Sequence, residues 1–382
     1  MAQQGDRSRP NESGAGRAAW KFFETYTRDL NSRNFAQLFT LETPEAYRFF
    51  ARTIDEESLA PLPWYLRIVQ RCRQFFVAFT SRLSPARRAL YGIGLLMGLM
   101  GLLSPNEFPG RMAWVLGGFV AMNLLVLLEV ADRLTLKRDL EVAREIQMTM
   151  LPREVVTGGG LEAYGYTRPA NTVGGDFYDV LQMPDGRLLL ALGDVAGKGS
   201  PAALLMALVL AILRTLVDEG LAPDAIAHRL NLQISRYAPR SRFVTLCLAM
   251  FDPVTGHLQY VNAGQTPPLM RRADGSFERL TEGGIALGMF ELAAYATGRA
   301  TMGIGDVLVF YSDGITEAED ARNVPFDESG LQTVINAHWW EDAAGLGRAI
   351  VTAIEAHTEN TRLADDLTVL AVRRPLPLPS IP

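Results

Sequence analysis

The chain has 382 residues, 48% of them hydrophobic, and a formal net charge of -5. That length admits two or three domains with a real apolar core, and the lack of any basic excess excludes an electrostatic nucleic-acid footprint. Cys72 and Cys247 are too few for a disulfide framework, and the scattered His228, His257, His338 and His357 show no zinc spacing, which leaves hard oxygen ligands and favours magnesium or manganese.

Residues 1–60 open with a polar, Gly-, Ser- and Arg-rich stretch expected to be disordered, then read as short aromatic-rich helices without a chemical motif. Residues 61–130 change character. Pro61–Arg88 interleaves Trp64, Tyr65, Phe75, Phe76 and Phe79 with Arg67, Arg71, Arg73 and Arg82, which suits a helix at a membrane surface and equally a solvated amphipathic helix. Two apolar runs follow, 89–103 and 112–130, where a span needs about 20 residues; the first is short unless the bilayer thins. Gly94 and Gly98 stand at small-xxx-small spacing. Arg82, Arg87 and Arg88 precede the pair and Arg133, Lys137 and Arg138 follow it, so the positive-inside rule predicts a transmembrane hairpin with both ends cytoplasmic. The expected location is therefore the inner (cytoplasmic) membrane, with the remainder of the chain in the cytoplasm. The alternative is a buried helical hairpin in a cytoplasmic protein.

Residues 131–151 carry Leu136, Leu140, Ala143, Gln147 and Met150 at heptad-like spacing, a coiled-coil linker that would pair two copies as a homodimer, or a helix that packs on its own domain. Pro152 ends it. From Leu161 the pattern becomes α+β. Strands are predicted at Leu161–Tyr166, Phe177–Leu181, Leu188–Leu192, Phe243–Phe251, Leu258–Asn262, Pro268–Arg271, Asp306–Tyr311 and Asp366–Val372. Helices are predicted at Pro201–Glu219, Pro223–Tyr237, Glu328–His338 and Glu341–His357. Antiparallel runs broken by helix pairs imply a double sheet sandwich flanked by helices over 152–374, followed by a Pro-rich tail at 375–382.

The chemistry concentrates in Val173–Ala203. A Pro-Asp-Gly turn between two apolar runs predicts a hairpin that brings Asp176 and Asp194 to the same end of a ladder. Neighbouring carboxylates repel unless a cation lies between them. Asp313, in Ser-Asp-Gly after a strand, and the pair Asp365-Asp366, before the last strand, add further acidic strand ends. Such a set fits two divalent cations, Mn2+ or Mg2+, that activate a water for in-line attack on phosphorus and need no histidine base. Gly-Asp-Val-Ala-Gly-Lys-Gly-Ser departs from a phosphate-binding P-loop in both spacing and its last position.

In order, V-G-G-D-F-Y-D, G-D-V-A-G-K-G-S-P-A-A, F-D-P-V-T-G-H-L-Q-Y-V-N-A-G, Y-S-D-G-I-T-E-A and D-D-L-T-V-L resemble the metal-dependent PPM-type serine/threonine phosphatases, in their bacterial SpoIIE/RsbU-like branch, and A-R-E-I-Q-M-T-M-L-P resembles the linker that enters that domain. The resemblance covers about Ala143–Arg374. It implies that Asp194 bridges two metals, that Val195 offers its carbonyl, that Asp313 and Asp365 hold one metal and that Asp176 completes the other. Asp179 and Asp366 share these motifs, and Lys198 would meet a phosphate or remain a solvated loop lysine. The implied substrate is a phosphorylated protein, a STAS-type anti-sigma-factor antagonist, in partner-switching control of transcription. One departure, Ala263-Gly264-Gln265 where many relatives have A-G-H, puts substrate fit in question. The competing expectation is a degenerate phosphatase domain that serves as a membrane-tethered binding module.

Overall fold

The computed structural model describes residues 63–103, 108–152, 154–239, 241–359 and 363–375. The expectations for residues 1–60 and for most of the Pro-rich tail lie outside them. The chain divides into two units, Met1–Asp132 and Arg133–Pro382.

The first unit holds α1 (Trp64–Thr80), α2 (Pro85–Leu103) and the start of α3 (Phe108–Met150). Helices α2 and α3 pack on glycine. A Cβ on Gly118 would lie 2.9 Å from the Gly94 carbonyl oxygen and 3.0 Å from the Gly98 nitrogen, so only glycine permits this approach. Gly98 contributes backbone alone, since a Cβ there would meet nothing within 4 Å. Arg87 closes the open end of the pair through Asp132 (2.7 Å) and Glu129 (3.3 Å). Elsewhere the apolar side chains of both helices stand largely exposed, among them Leu95, Leu99, Leu103, Leu116, Phe119 and Leu127.

The second apolar run and the linker form one helix: α3 continues for 43 residues. No Gly or Pro interrupts the sequence between Gly118 and Met150, so nothing stops the helix. Among the described residues three helices are long and apolar enough to cross a membrane, α2, α3 and α4 (Ser200–Asp218). Helix α4 differs from the other two, because eight of its side chains are buried, all of them in the main core.

The second unit is a two-sheet sandwich. One sheet has the order β1 (Val156–Gly158), β2 (Leu161–Arg168), β12 (Leu367–Arg373), β11 (Val307–Tyr311), β7 (Leu269–Arg271), β8 (Phe277–Arg279). The other has β10 (Gly298–Thr301), β6 (His257–Ala263), β5 (Val244–Phe251), β4 (Leu188–Val195), β3 (Phe177–Gln182), with β9 (Gly283–Gly284) parallel to β6. All other pairings are antiparallel. Period-2 alternation assigns the faces. Leu308 and Phe310 of β11 enter the core between the sheets, while Val307, Val309 and Tyr311 pack beneath α7 (Asp327–His338) and α8 (Ala343–His357). Helices α4 and α5 (Pro223–Tyr237) cover the second sheet. Strand β4 is therefore buried on both faces, which explains its unbroken Leu-Leu-Leu-Ala-Leu run.

Each of the eight predicted strands and four predicted helices corresponds to an observed element. The short β1, β8, β9 and β10 and the four-residue α6 (Asp313–Thr316) carry too few residues for a periodic pattern.

Candidate metal centre

The hairpin register pairs Phe177 with Gly193, so Asp176 and Asp194 meet at one end of the β3–β4 ladder as expected. Asp313 opens α6 directly after β11, and Asp365 lies in the bend before β12. All of β11 pairs with β12, from Val307 opposite Arg373 to Tyr311 opposite Val369, which brings these two segments together. Four carboxylates from four segments thus share one edge of the sandwich.

Their electrostatics record the crowding. Burial, then repulsion from Asp194, raises Asp176 well above the ordinary carboxylate range, with Thr368 and Ser312 partly offsetting. Asp194 is pushed up to about 6 by burial and then by Asp313, Asp365 and Asp366. Asp313 is raised by burial and by Asp365. Among the described residues no three His, Cys, Asp or Glu side chains are gathered into a closed ligand set. Asp365 instead pairs with Lys198 at 3.0 Å, and the same ammonium donates to the Ala364 carbonyl at 2.6 Å.

Two observations fit a cation. Asp176 is buried and its Oδ2 has no hydrogen-bond partner, a costly state for a carboxylate. A Cβ on Gly175 would lie 2.7 Å from the Val195 carbonyl oxygen and 2.8 Å from Asp194 Oδ1. The absent side chain leaves a cradle where a backbone carbonyl and a carboxylate converge, which is hard-oxygen chemistry suited to Mg2+ or Mn2+.

The other motif carboxylates do different work. Asp366 accepts from Ala170 N (2.8 Å) through Oδ1 and from Gly175 N (2.8 Å) through Oδ2, so it anchors the loop before β3 rather than presenting free oxygens. Its backbone carbonyl accepts from Ser312 Oγ at 3.0 Å. Asp179 is buried and receives Arg214 Nε at 2.7 Å and Val180 N at 3.0 Å. Arg214 also donates to the Met150 carbonyl at 2.5 Å, which ties β3 and α4 to the last turn of α3.

Several positioning groups lie outside the predicted set. Gln147, in the last turn of α3, grips both sides of Gly174: its Nε2 donates to the Gly174 carbonyl (2.9 Å) and its Oε1 accepts from Gly174 N (3.3 Å). Gln147 and Met150 of the expected dimer seam are thus turned onto their own domain, while Leu134, Leu136, Val142 and Ile146 remain exposed. Gln265 is buried, accepts from Thr245 Oγ1 (2.5 Å) and donates to the Tyr311 carbonyl (3.5 Å), bridging the strands that lead to Asp194 and Asp313. Arg242 donates to the Ala196 carbonyl (2.5 Å) and braces the Gly-Lys-Gly loop, whose Gly197 and Gly199 adopt φ of 103° and 76°. Beside Asp365 opens a cavity of about 610 Å³, lined by Lys198, Gly314, Glu317, Asp320, Leu363 and Ala364.

The two sheets and their outer helices define the PP2C phosphatase fold: the SiaA PP2C domain of Pseudomonas aeruginosa superposes with a TM-score of 0.57 at 21% identity, covering 64% of this chain and 98% of that one. The model of the family "Stage II sporulation protein E (SpoIIE)" matches residues 184–375, half of the chain, and the chain belongs to that family. The phosphoserine phosphatase RsbU of Bacillus subtilis is 27% identical over 240 residues, covering 63% of this chain and 71% of RsbU. The solved RsbU and RsbW domains of a Mycobacterium tuberculosis protein are 27% identical with a TM-score of 0.50; the match covers 58% of this chain and 62% of that one.

Proposed function

We propose that the chain is a membrane-anchored, divalent-cation-dependent protein phosphatase acting on phosphoserine or phosphothreonine in a partner-switching pathway. The observation that carries this reading is the crowding of Asp176, Asp194, Asp313 and Asp365 at one edge of the sandwich, with Asp194 Oδ1 and the Val195 carbonyl flanking Gly175, in a SpoIIE-family chain. The relative RsbU, named as a phosphoserine phosphatase, favours phosphoserine, and a STAS-type anti-sigma-factor antagonist is the proposed substrate protein.

In this reading Asp176, Asp194 and the Val195 carbonyl would hold one cation, and Asp194, Asp313 and Asp365 would hold a second. Bound there, two hard cations would lower the pKa of a water and neutralise phosphate charge. The protein's part is to fix the carboxylates, through Asp366 on the loop before β3 and Gln265 between the sheets. Lys198 stands with its ammonium at the cavity mouth, where it can meet a phosphate once it leaves Asp365. The cavity offers room for a phosphorylated side chain and its flanking residues.

The anchor is the α2–α3 hairpin, with the phosphatase domain on the cytoplasmic side together with Arg82, Arg87, Arg88, Arg133, Lys137 and Arg138. A homodimer through 131–151 would use the exposed Leu134, Leu136, Val142 and Ile146.

The deciding experiment uses the full chain in detergent with a phosphoserine protein, with and without Mn2+. Phosphate release that requires the metal and disappears in Asp194→Asn supports the assignment. Absence of both turnover and Mn2+ binding would instead favour the non-catalytic binding module.

A further inference from the structure

Helix α1 has an apolar face that stays open over its first turns and meets α2 only near its end. At 100° per residue, Trp64, Tyr65, Ile68, Val69, Cys72, Phe76 and Phe79 fall within one sector of about 140°. Arg67, Gln70 and Gln74 occupy the far side, and Arg71 and Arg73 border the apolar sector on its two edges. The helix contains three arginines and no acidic residue. Trp64 is 74% exposed, Ile68 55% and Val69 63%, so the apolar sector is open along its first turns.

Its other end is fixed to the start of the hairpin. Phe79 and Phe76 pack on Tyr91 of α2, with ring centroids 5.5 and 6.0 Å apart. Arg88 of α2 donates to the Thr80 carbonyl at 3.0 Å and to the Ser81 carbonyl at 3.2 Å, which caps the last turn of α1. Only Ser81–Ser84 separates α1 from α2.

From these features we infer that α1 is an in-plane membrane anchor. Its aromatic sector enters the boundary between headgroups and acyl chains, and its arginines bind anionic lipid headgroups of the leaflet that α2 enters. The inference rests on the hairpin's spanning a membrane. Two features point to lipid rather than to protein. The apolar face runs, through the Tyr91 contact, into a helix that itself exposes apolar side chains from Ile93 to Leu103. Trp and Tyr in the apolar sector, and three arginines in a helix whose own sequence holds no acidic residue, are the composition that suits an anionic interface.

The test takes the full chain reconstituted in phosphatidylcholine vesicles with or without phosphatidylglycerol. A nitroxide is attached to the exposed Cys72, Cys247 being buried and so shielded from the reagent. At Cys72, in vesicles with phosphatidylglycerol, oxygen collisions should outnumber collisions with a water-soluble nickel chelate. With the label moved to Gln74→Cys in a Cys72→Ser background, the order should reverse. Replacing Arg67, Arg71 and Arg73 with alanine should abolish the difference between the two vesicle types. A label at Val120→Cys in Cys72→Ser reports the hairpin separately. A lipid-buried Val120 label beside a Cys72 label open to nickel would overturn the anchor and leave the hairpin intact. A water-exposed Val120 label would overturn both. A Cys72 label shielded from both oxygen and nickel would mean that a protein surface or a second copy covers the face, and would also overturn the inference.

Discussion

Gly175 is the residue on which the candidate centre is most sharply testable. In Gly175→Ala the new methyl would stand 2.7 Å from the Val195 oxygen and 2.8 Å from Asp194 Oδ1, within the space a cation would share with them. Mn2+ affinity by titration calorimetry should fall at least about tenfold, on the order of 1.4 kcal/mol, with the circular dichroism spectrum unchanged. Asp194 supplies a pH test. Its folded pKa of about 6 lies above the ordinary value of 3.8, so the folded chain holds this proton more tightly than the unfolded chain does. With chelator present, its contribution to stability is therefore greatest at low pH and is lost as pH rises from about 4 through about 6. Asp194→Asn should accordingly raise the thermal midpoint of the metal-free chain at pH 7, by about 1–2 kcal/mol of stability. Cation binding should move the opposite way, weakening as pH drops through 6 and the proton competes for the carboxylate. The aspartates were legible in the sequence because each stands beside glycine or a strand end. The roles of Asp179 and Asp366 were not, because a motif shows which residues share a segment and not which direction each side chain takes. Asp179 turns to Arg214 and Asp366 to two backbone N–H groups.

At the scale of elements, the last turn of α3, β3 and α4 meet at Arg214. This arginine is the single basic residue in an otherwise apolar helix, and that isolation was the available sign that it has a buried partner. Arg214→Ala leaves Asp179 buried without its counter-charge and the Met150 carbonyl without its donor. It should cost roughly 2–4 kcal/mol in a urea titration, while Arg214→Lys should recover part of that. The strands were readable from their period because each sheet face meets a different layer. The continuity of α3 was less so, because its apolar first half and charged second half look like two segments by composition although no residue breaks the helix between them. One residue inserted after Arg138 turns everything beyond it by about 100° relative to the apolar half. Phosphatase activity of the full chain should change with that insertion, and a four-residue insertion, which nearly restores the phase, should return most of it.

For the molecule as a whole, the hairpin depends on backbone approach at Gly118. Gly118→Leu would drive a side chain into Gly94 and Gly98, and should weaken the Arg87–Asp132 pair, read as a smaller effect of Arg87→Ala on stability in a denaturant titration when Gly118→Leu is present. The double contact of Gln147 on Gly174 reaches further. Gly174 and Gly175 precede Asp176, and the Gly175 amide is held by Asp366, so the last turn of α3 and the candidate cation loop share one set of hydrogen bonds. Coupling of this kind is reciprocal: whatever free energy a displacement of the helix takes from cation binding, cation binding must return to the helix. The amides of the last turns of α3 should therefore exchange more slowly with deuterium when Mn2+ is added, and Gln147→Ala should remove most of that slowing. The same helix end that sets the affinity of the site would also report its occupancy.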